Sequence, residues 1–134
     1  RAAQEAATAV MRYFDTAGQH HHADEEQDLF PALLESMAGS DAVCLRGLID
    51  GLCAQHRDLD RHWHAVRQVL VAVVEGRAIR LEAPAVQTMT EAYAAHIARE
   101  DGELLPMAAR LLDDSALQRI GASMRQRRGI AAPT

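Results

Sequence analysis

Apolar residues recur along this chain at alternating spacings of three and four, the pattern of helices that bury one face. The first stripe is Ala3, Ala7, Val10, Phe14, Ala17, His21 and Glu25, and it predicts a helix from about Ala2 to Met37. Gly39, Ser40 and Asp41 break it, with Asp41 placed to cap the next helix. The second stripe is Leu45, Ile49, Leu52, His56, Leu59, Trp63, Val66, Leu70 and Val73; it predicts a helix from about Ala42 to Glu75, ended by Gly76. The third stripe is Val86, Met89, Tyr93, His96 and Glu100, on a helix from Pro84 to about Asp113. Ser115 is placed to cap a short last helix through about Arg127, with Ile120 and Met124 apolar. Pro31 and Pro106 lie inside the patterns, and each predicts a kink or a restart. No run alternates with the period of two that a half-buried strand needs.

Three long helices and one short one, joined by tight links, predict an all-α, up-down four-helix bundle. The reading takes 1–134 as one domain, with 114–134 as a short C-terminal helix and tail. Arg1 is not a start methionine, and residues 2–9 already read as mid-helix without a cap. A bundle with these three long members needs one more, so the reading places its first helix before residue 1. An incomplete bundle would expose an apolar face and invite self-association into a homo-oligomer.

Composition narrows the function classes. Hydrophobic residues make up 49% of the chain and aromatics only 4%, as suits helices rather than sheets. The net charge of −5 argues against nucleic acid as a partner, since phosphate contact wants a basic face. Arg125, Arg127 and Arg128 form the basic cluster, read as a solvated end with cations near a helix C-terminus. Cys44 and Cys53 are nine apart and make no CxxC unit; they read as buried free thiols of a cytoplasmic protein. Neither a membrane span nor a signal peptide is visible.

One short pattern occurs twice, 75 residues apart. The first copy runs His21, Glu25, Leu29-Phe30, Pro31, and the second His96, Glu100, Leu104-Leu105, Pro106. Residues four apart sit on one helical face, so an imidazole and a carboxylate converge in each copy. His56 takes the matching inward position of the middle helix. A lone inward histidine is usually a satisfied core residue. Three of them, two with a glutamate one turn on, would cost several kcal/mol to bury without a partner, and a metal satisfies them together. The residues proposed as ligands are His21, Glu25, His56, His96 and Glu100.

Neighbours of the motif divide between site and surface. Counting back from His21 gives an apolar stripe, whereas counting back from His22 gives Gly18, Asp15 and Met11, so His21 is read as the inner histidine. His22 and Asp60 are left as extra ligands or hydrogen-bonding supports. His20, Glu26, His62, His64 and Asp101 are read as flank or surface residues. Phe14, Trp63 and Tyr93, with Val10 and Met89, are expected to wall an apolar pocket. Several nitrogens with two facing carboxylates favour a dinuclear iron site. The order His-x-x-x-Glu differs from the Glu-x-x-His of ferritin-like bundles.

The strings HHHADEEQDLFPALL, QHRDLDRHW and HIAREDGELLPMA together resemble the hemerythrin-like HHE cation-binding domains of bacteria, over nearly the whole chain. The resemblance implies a four-helix bundle around a non-haem di-iron centre, oxo- or hydroxo-bridged, held by about five histidines and two bridging carboxylates. It carries His21 and Glu25, His56, and His96 and Glu100 onto three of the family's helices. The family's first helix brings a histidine with no counterpart here, and Asp60 stands where true hemerythrins have a second histidine. The expected role is binding of a small diatomic, O2 or NO, for storage or sensing. The alternative is a di-iron redox enzyme: a peroxidase, an NO consumer or an iron donor for repair.

Overall fold

A computed structural model describes residues 1–36, 41–77 and 83–130, the side chains of residues 41 and 83 excepted. The proposed break at Gly39 and Ser40 and the Asp41 cap lie outside the described residues, as does the tail beyond residue 130. The described residues form four helical segments and contain no strand. The first segment comprises α1 (Ala2–Asp15), α2 (Ala17–Ala23), a π turn (Asp24–Leu29) and α3 (Phe30–Ser36). The second is a single helix, α4 (Asp41–Val74). The third comprises α5 (Ala83–Arg99), a second π turn (Glu100–Leu104) and α6 (Leu105–Leu111). The fourth is α7 (Asp114–Arg127).

The predicted period holds best on α4. Leu45, Ile49, Leu52, His56, Leu59, Trp63, Val66, Leu70 and Val73 are all buried. The helix ends as Gly76 predicts. Gly76 takes φ +75°, and the Gly76 and Arg77 amides donate to the carbonyls of Val73 and Ala72. This paired closure needs a left-handed residue, which glycine adopts without a Cβ clash. The last helix is capped by Asp113 rather than by Ser115: Asp113 Oδ1 accepts from the Ala116 amide at 2.8 Å.

The first segment departs from the uniform stripe. Thr16 leaves helical geometry at φ −120°, ψ −77°, separating α1 from α2. Across this break the inward face runs Ala7, Met11, Phe14, Gly18, His22 and Glu25, while Val10 is 41% exposed. The expected restarts are present: Pro31 and Pro106 are each the second residue of a resumed α-helix, α3 and α6. Each lies two residues beyond the end of a π turn. Proline clashes with the carbonyl four residues back, and a wider turn bonded five residues apart relieves the demand for that contact.

Two apolar clusters form the core. One joins Phe30 and Leu33 to Leu45, Leu48, Ile49, Leu52, Leu104, Ala108, Leu112 and Ala116. The other joins Ala7 to Trp63, Val66, Leu70, Val73 and Met89. Each fully buried leucine contributes about 1.5–3 kcal/mol. Between Leu52 of one cluster and Trp63 of the other, α4 presents His56, which is 2% exposed. A polar layer separates the two cores there.

Candidate metal centre

The two copies of the repeat meet at this layer. Donor atoms of Glu25, His56, His96 and Glu100 all lie within 4.8 Å of one another. Glu25 is carried by the first π turn, His56 by α4, His96 by α5, and Glu100 by the second π turn. π turns are rare, and they concentrate at functional sites because one added residue re-aims the side chains after it. Here each turn contains the glutamate of its copy.

The contacts converge on the glutamates. His96 Nε2 lies 2.6 Å from Glu100 Oε1. His56 Nε2 lies 3.8 Å from Glu25 Oε2 and 3.9 Å from Glu100 Oε1. His21 Nε2 reaches Glu25 Oε1 at 3.1 Å and Glu100 Oε2 at 3.9 Å. The His21 and His56 imidazoles therefore each approach both carboxylates. The His56 ring is stacked between His22, at 4.1 Å between centroids, and Phe30, at 6.3 Å.

The burial of His21 and His22 is the reverse of what the stripe predicts, although His21 is the one that reaches the glutamates. His22 is buried and packs on His56. The His21 side chain is 61% exposed and approaches the glutamates from the rim. Gly18 explains the exchange. It reads as a gap in an apolar stripe, yet the Phe14 ring lies over it, 3.6 Å from where a Cβ would stand. Asp60 is exposed and faces His22 rather than His56, with Oδ1 3.9 Å from His22 Nδ1. Glu26, read as a flank residue, lies beside the site, its Oε2 3.7 Å from His56 Nδ1.

Sequence reasoning missed Gln55. Its Oε1 lies 2.8 Å from His96 Nδ1. An amide oxygen only accepts, so Nδ1 donates to Gln55 and Nε2 is the nitrogen turned toward Glu100. Nε2 stands 2.6 Å from Glu100 Oε1, so a cation could be shared between the two. Only the position next to His56 in QHRDLD hinted at Gln55.

Polar satisfaction fails chiefly at this layer. Among the described residues, seven of the eight buried side-chain nitrogens and oxygens without an aligned hydrogen bond belong to His22, Glu25, His56, His96 and Glu100. Buried polar groups are ordinarily paired, because leaving one unpaired costs about 1–3 kcal/mol. A cation would answer those that face one another, Glu25, His56 Nε2, His96 Nε2 and Glu100 Oε1, so this donor set fits a metal; His56 Nδ1 faces Glu26 instead.

Electrostatics separates neighbouring groups. Hydrogen bonds to Glu100 and then Glu25 push His21 up to about 10. Burial, followed by the neighbouring His56, pushes His22 down to about 4. Burial and Glu100 raise the Glu25 carboxyl. Burial opposes ionisation of Glu100 too, but hydrogen bonds from His21, His56 and His96 outweigh it and hold Glu100 well below the carboxylate range. Without metal, the proton of this pair belongs to Glu25.

An apolar cavity of about 240 Å³ adjoins the layer, lined in part by Tyr13, Phe14, His22, Tyr93 and His96. Trp63 stands behind it, stacked on Phe14 at 4.8 Å, with its Nε1 donating to Asp15 at 3.1 Å. Of the expected thiols, Cys53 is half-buried, but Cys44 is exposed.

Fold and centre together define a helical bundle with a candidate histidine–glutamate cation site. The chain belongs to the hemerythrin family: the model of the hemerythrin HHE cation-binding domain matches residues 1–108. It is also similar to an uncharacterized protein of Haemophilus influenzae, 28% identical over 121 residues, which span 90% of this chain and 67% of that protein. No solved structure matches the chain. No helix among the described residues is long and apolar enough to cross a membrane.

Proposed function

We propose that this centre holds a pair of non-haem iron ions and binds a small diatomic, O2 or NO, for storage or sensing. The observation that carries the reading is the convergence of unpaired buried nitrogens and carboxylate oxygens from three helical segments. His21, Glu25, His56, His96 and Glu100 are the proposed ligands, with the glutamates bridging. His22, whose Nδ1 is buried and unpaired, is the candidate to complete the set. Mixed imidazole and carboxylate donors without thiolate suit iron. Iron would supply the redox electrons and an open coordination position.

The chain's own residues do the rest. Gln55 fixes the His96 tautomer and leaves Nε2 free to bind a cation. Phe14 and Trp63 keep one side of the layer apolar, which restrains water and side reactions. Asp60 stands at the rim, 3.9 Å from His22 Nδ1 and outside the group of converging donors. The free thiols suit a reducing cytoplasm, where we place the protein.

Metal analysis with absorption spectra in air and under argon tests the reading. We expect about two irons per chain, with near-ultraviolet bands that form in air and reverse on deoxygenation. A folded helical protein that takes up no iron overturns it. A redox enzyme is the second reading, favoured by two observations. The cavity is several times the roughly 30 Å³ share of a water molecule. Burial also pushes the Tyr93 hydroxyl up to about 12, so it stays protonated and able to donate. Sustained peroxide consumption by the iron-loaded protein would favour that class.

A further inference from the structure

The basic cluster at the end of α7 is not a solvated chain end. Arg128 grips Asp24 with its fork, Nη1 to Oδ1 at 2.9 Å and Nη2 to Oδ2 at 2.6 Å. Arg127 Nη1 donates to the same Asp24 Oδ1 at 2.6 Å, while its Nη2 reaches Asp28 Oδ2 at 2.8 Å and Gln27 Oε1 at 3.3 Å. The side chains of Arg127 and Asp24 are only 17% and 7% exposed. Asp24 and Asp28 lie in the first π turn, and Glu25 is the residue after Asp24. The arginines themselves are held in place, because Gly129 at φ +69° closes α7 with the Ile130 amide donating to the Arg125 carbonyl at 2.8 Å.

The internal repeat supplies a control. Moved 75 residues on, Asp24 and Asp28 fall on Arg99 and Glu103. Those two satisfy each other across the second π turn, Arg99 Nε to Glu103 Oε2 at 3.2 Å. The first turn has two acids at the same positions. Like charges there repel, and nothing within the repeat neutralises them. The two arginines of α7 supply from a distant segment what the second turn supplies for itself.

We propose that Arg127 and Arg128 brace the first π turn in the register that presents Glu25, so that α7 sets the cation affinity of the centre. The matched family domain ends at residue 108, before α7 begins. Arg127 and Arg128 are positioning residues, acting through Asp24 on the aim of Glu25. The affinity part rests on the proposed metal reading; the effect on the turn does not.

The test compares wild type with Arg127→Ala/Arg128→Ala, and both with the further change Asp24→Arg, which writes into the first turn the ion pair of the second. Ile120→Ala, which trims an apolar contact of the same helix, is the control for a general loosening of α7. Amide hydrogen exchange on the metal-free proteins should quicken over residues 25–30 in the double variant and stay unchanged over residues 100–105. Asp24→Arg should restore the protection. Anaerobic titration with ferrous ion should show a loss of about tenfold or more in the double variant, the usual effect of disturbing a ligand's support. Unchanged exchange at residues 25–30, or an equal change in Ile120→Ala, overturns the brace. If wild type takes up no ferrous ion, the metal reading fails and exchange alone decides the brace. Should the double variant not fold, Arg128→Lys keeps the charge, removes the fork and is read in the same way.

Discussion

Glu25→Gln should stabilise the metal-free protein while weakening its hold on metal. Glu25 is 4% exposed, and neither of its oxygens has an aligned hydrogen bond. Burial and the charge of Glu100 raise its carboxyl, so the fold resists its ionisation. An acid raised in the fold binds its proton more tightly there than in the unfolded chain, so stability falls as pH climbs past the ordinary carboxylate range. An unpaired buried group costs about 1–3 kcal/mol. His21 offsets part of that, but it is largely solvated, and exposed ion pairs contribute only about 0–1 kcal/mol. The remainder is about 1–2 kcal/mol. A glutamine keeps the shape, carries no charge and can donate to Glu100.

Metal-free Glu25→Gln should therefore exceed wild type by about 1–2 kcal/mol near pH 8, roughly 3–8 °C in Tm for a chain of this size. The gap should narrow as pH falls and Glu25 takes up its proton. With ferrous ion at about 100 times its dissociation constant, wild type gains about 2.7 kcal/mol and the order reverses. Paired thermal melts across pH, with and without metal, read all three effects. A variant less stable than wild type at pH 8, or a gap that ignores pH, would show that the charged Glu25 is already satisfied without metal, and would refute the reasoning.

The same geometry makes three further outcomes testable. His21 and His22 should differ in charge at neutral pH in the metal-free protein; imidazole nitrogen NMR should show His21 titrating near 10 and His22 near 4, and a shared midpoint near the free value would contradict it. The signs are opposite: stability from His21 is lost as pH rises through about 10, and stability tied to neutral His22 is lost as pH falls from the ordinary histidine range toward about 4. Leu104→Ala, at a site 1% exposed where the second π turn enters the core, should cost about 2–5 kcal/mol in urea unfolding. Gly76→Ala, at φ +75°, should cost about 1–2 kcal/mol without altering metal uptake.

The spacing of α4 was legible because nothing interrupts it: nine stripe positions fell to one side of a straight helix. The first segment was less legible because two local devices shift its phase. The break at Thr16 interrupts the helix between α1 and α2, and its local signal, Asp15, Thr16 and Gly18, is overridden by the apolar stripe that runs through it. Gly18 then stands as an apparent hole that the Phe14 ring fills. Hydrophobicity counts residues, not the space a neighbour occupies, so His21 scored better than His22. The arginines of α7 were misread for a related reason. A terminal basic cluster resembles a solvated helix end unless its distant acids are known, and Asp24 is about a hundred residues away in sequence. Ser115 and Asp113 both suit an N-cap, and only backbone geometry chooses between them. The repeat itself predicted the meeting of its two halves, since a helical period of four aligns imidazole and carboxylate in each.

The polar layer also bears on how the protein holds together. The cluster around Leu33 and Leu52 draws on α3, α4, α6 and α7, whereas the cluster around Trp63 and Val73 draws on α1, α4 and α5. Only α4 runs through the centre of both. Between them the layer contributes little hydrophobic stabilisation and carries seven unpaired polar atoms. A metal-free molecule therefore has two apolar cores joined by three helical segments, of which only α4 is an unbroken α-helix, and a layer that costs free energy to bury. Cation binding would reverse the sign at that layer alone, linking the two π turns to α4 by ligand bonds rather than by packing. The repeat places its glutamates within the wide turns, at the positions where the backbone is least regular. A site that must admit a cation and then grip it draws on the part of the fold that can yield without unfolding either core.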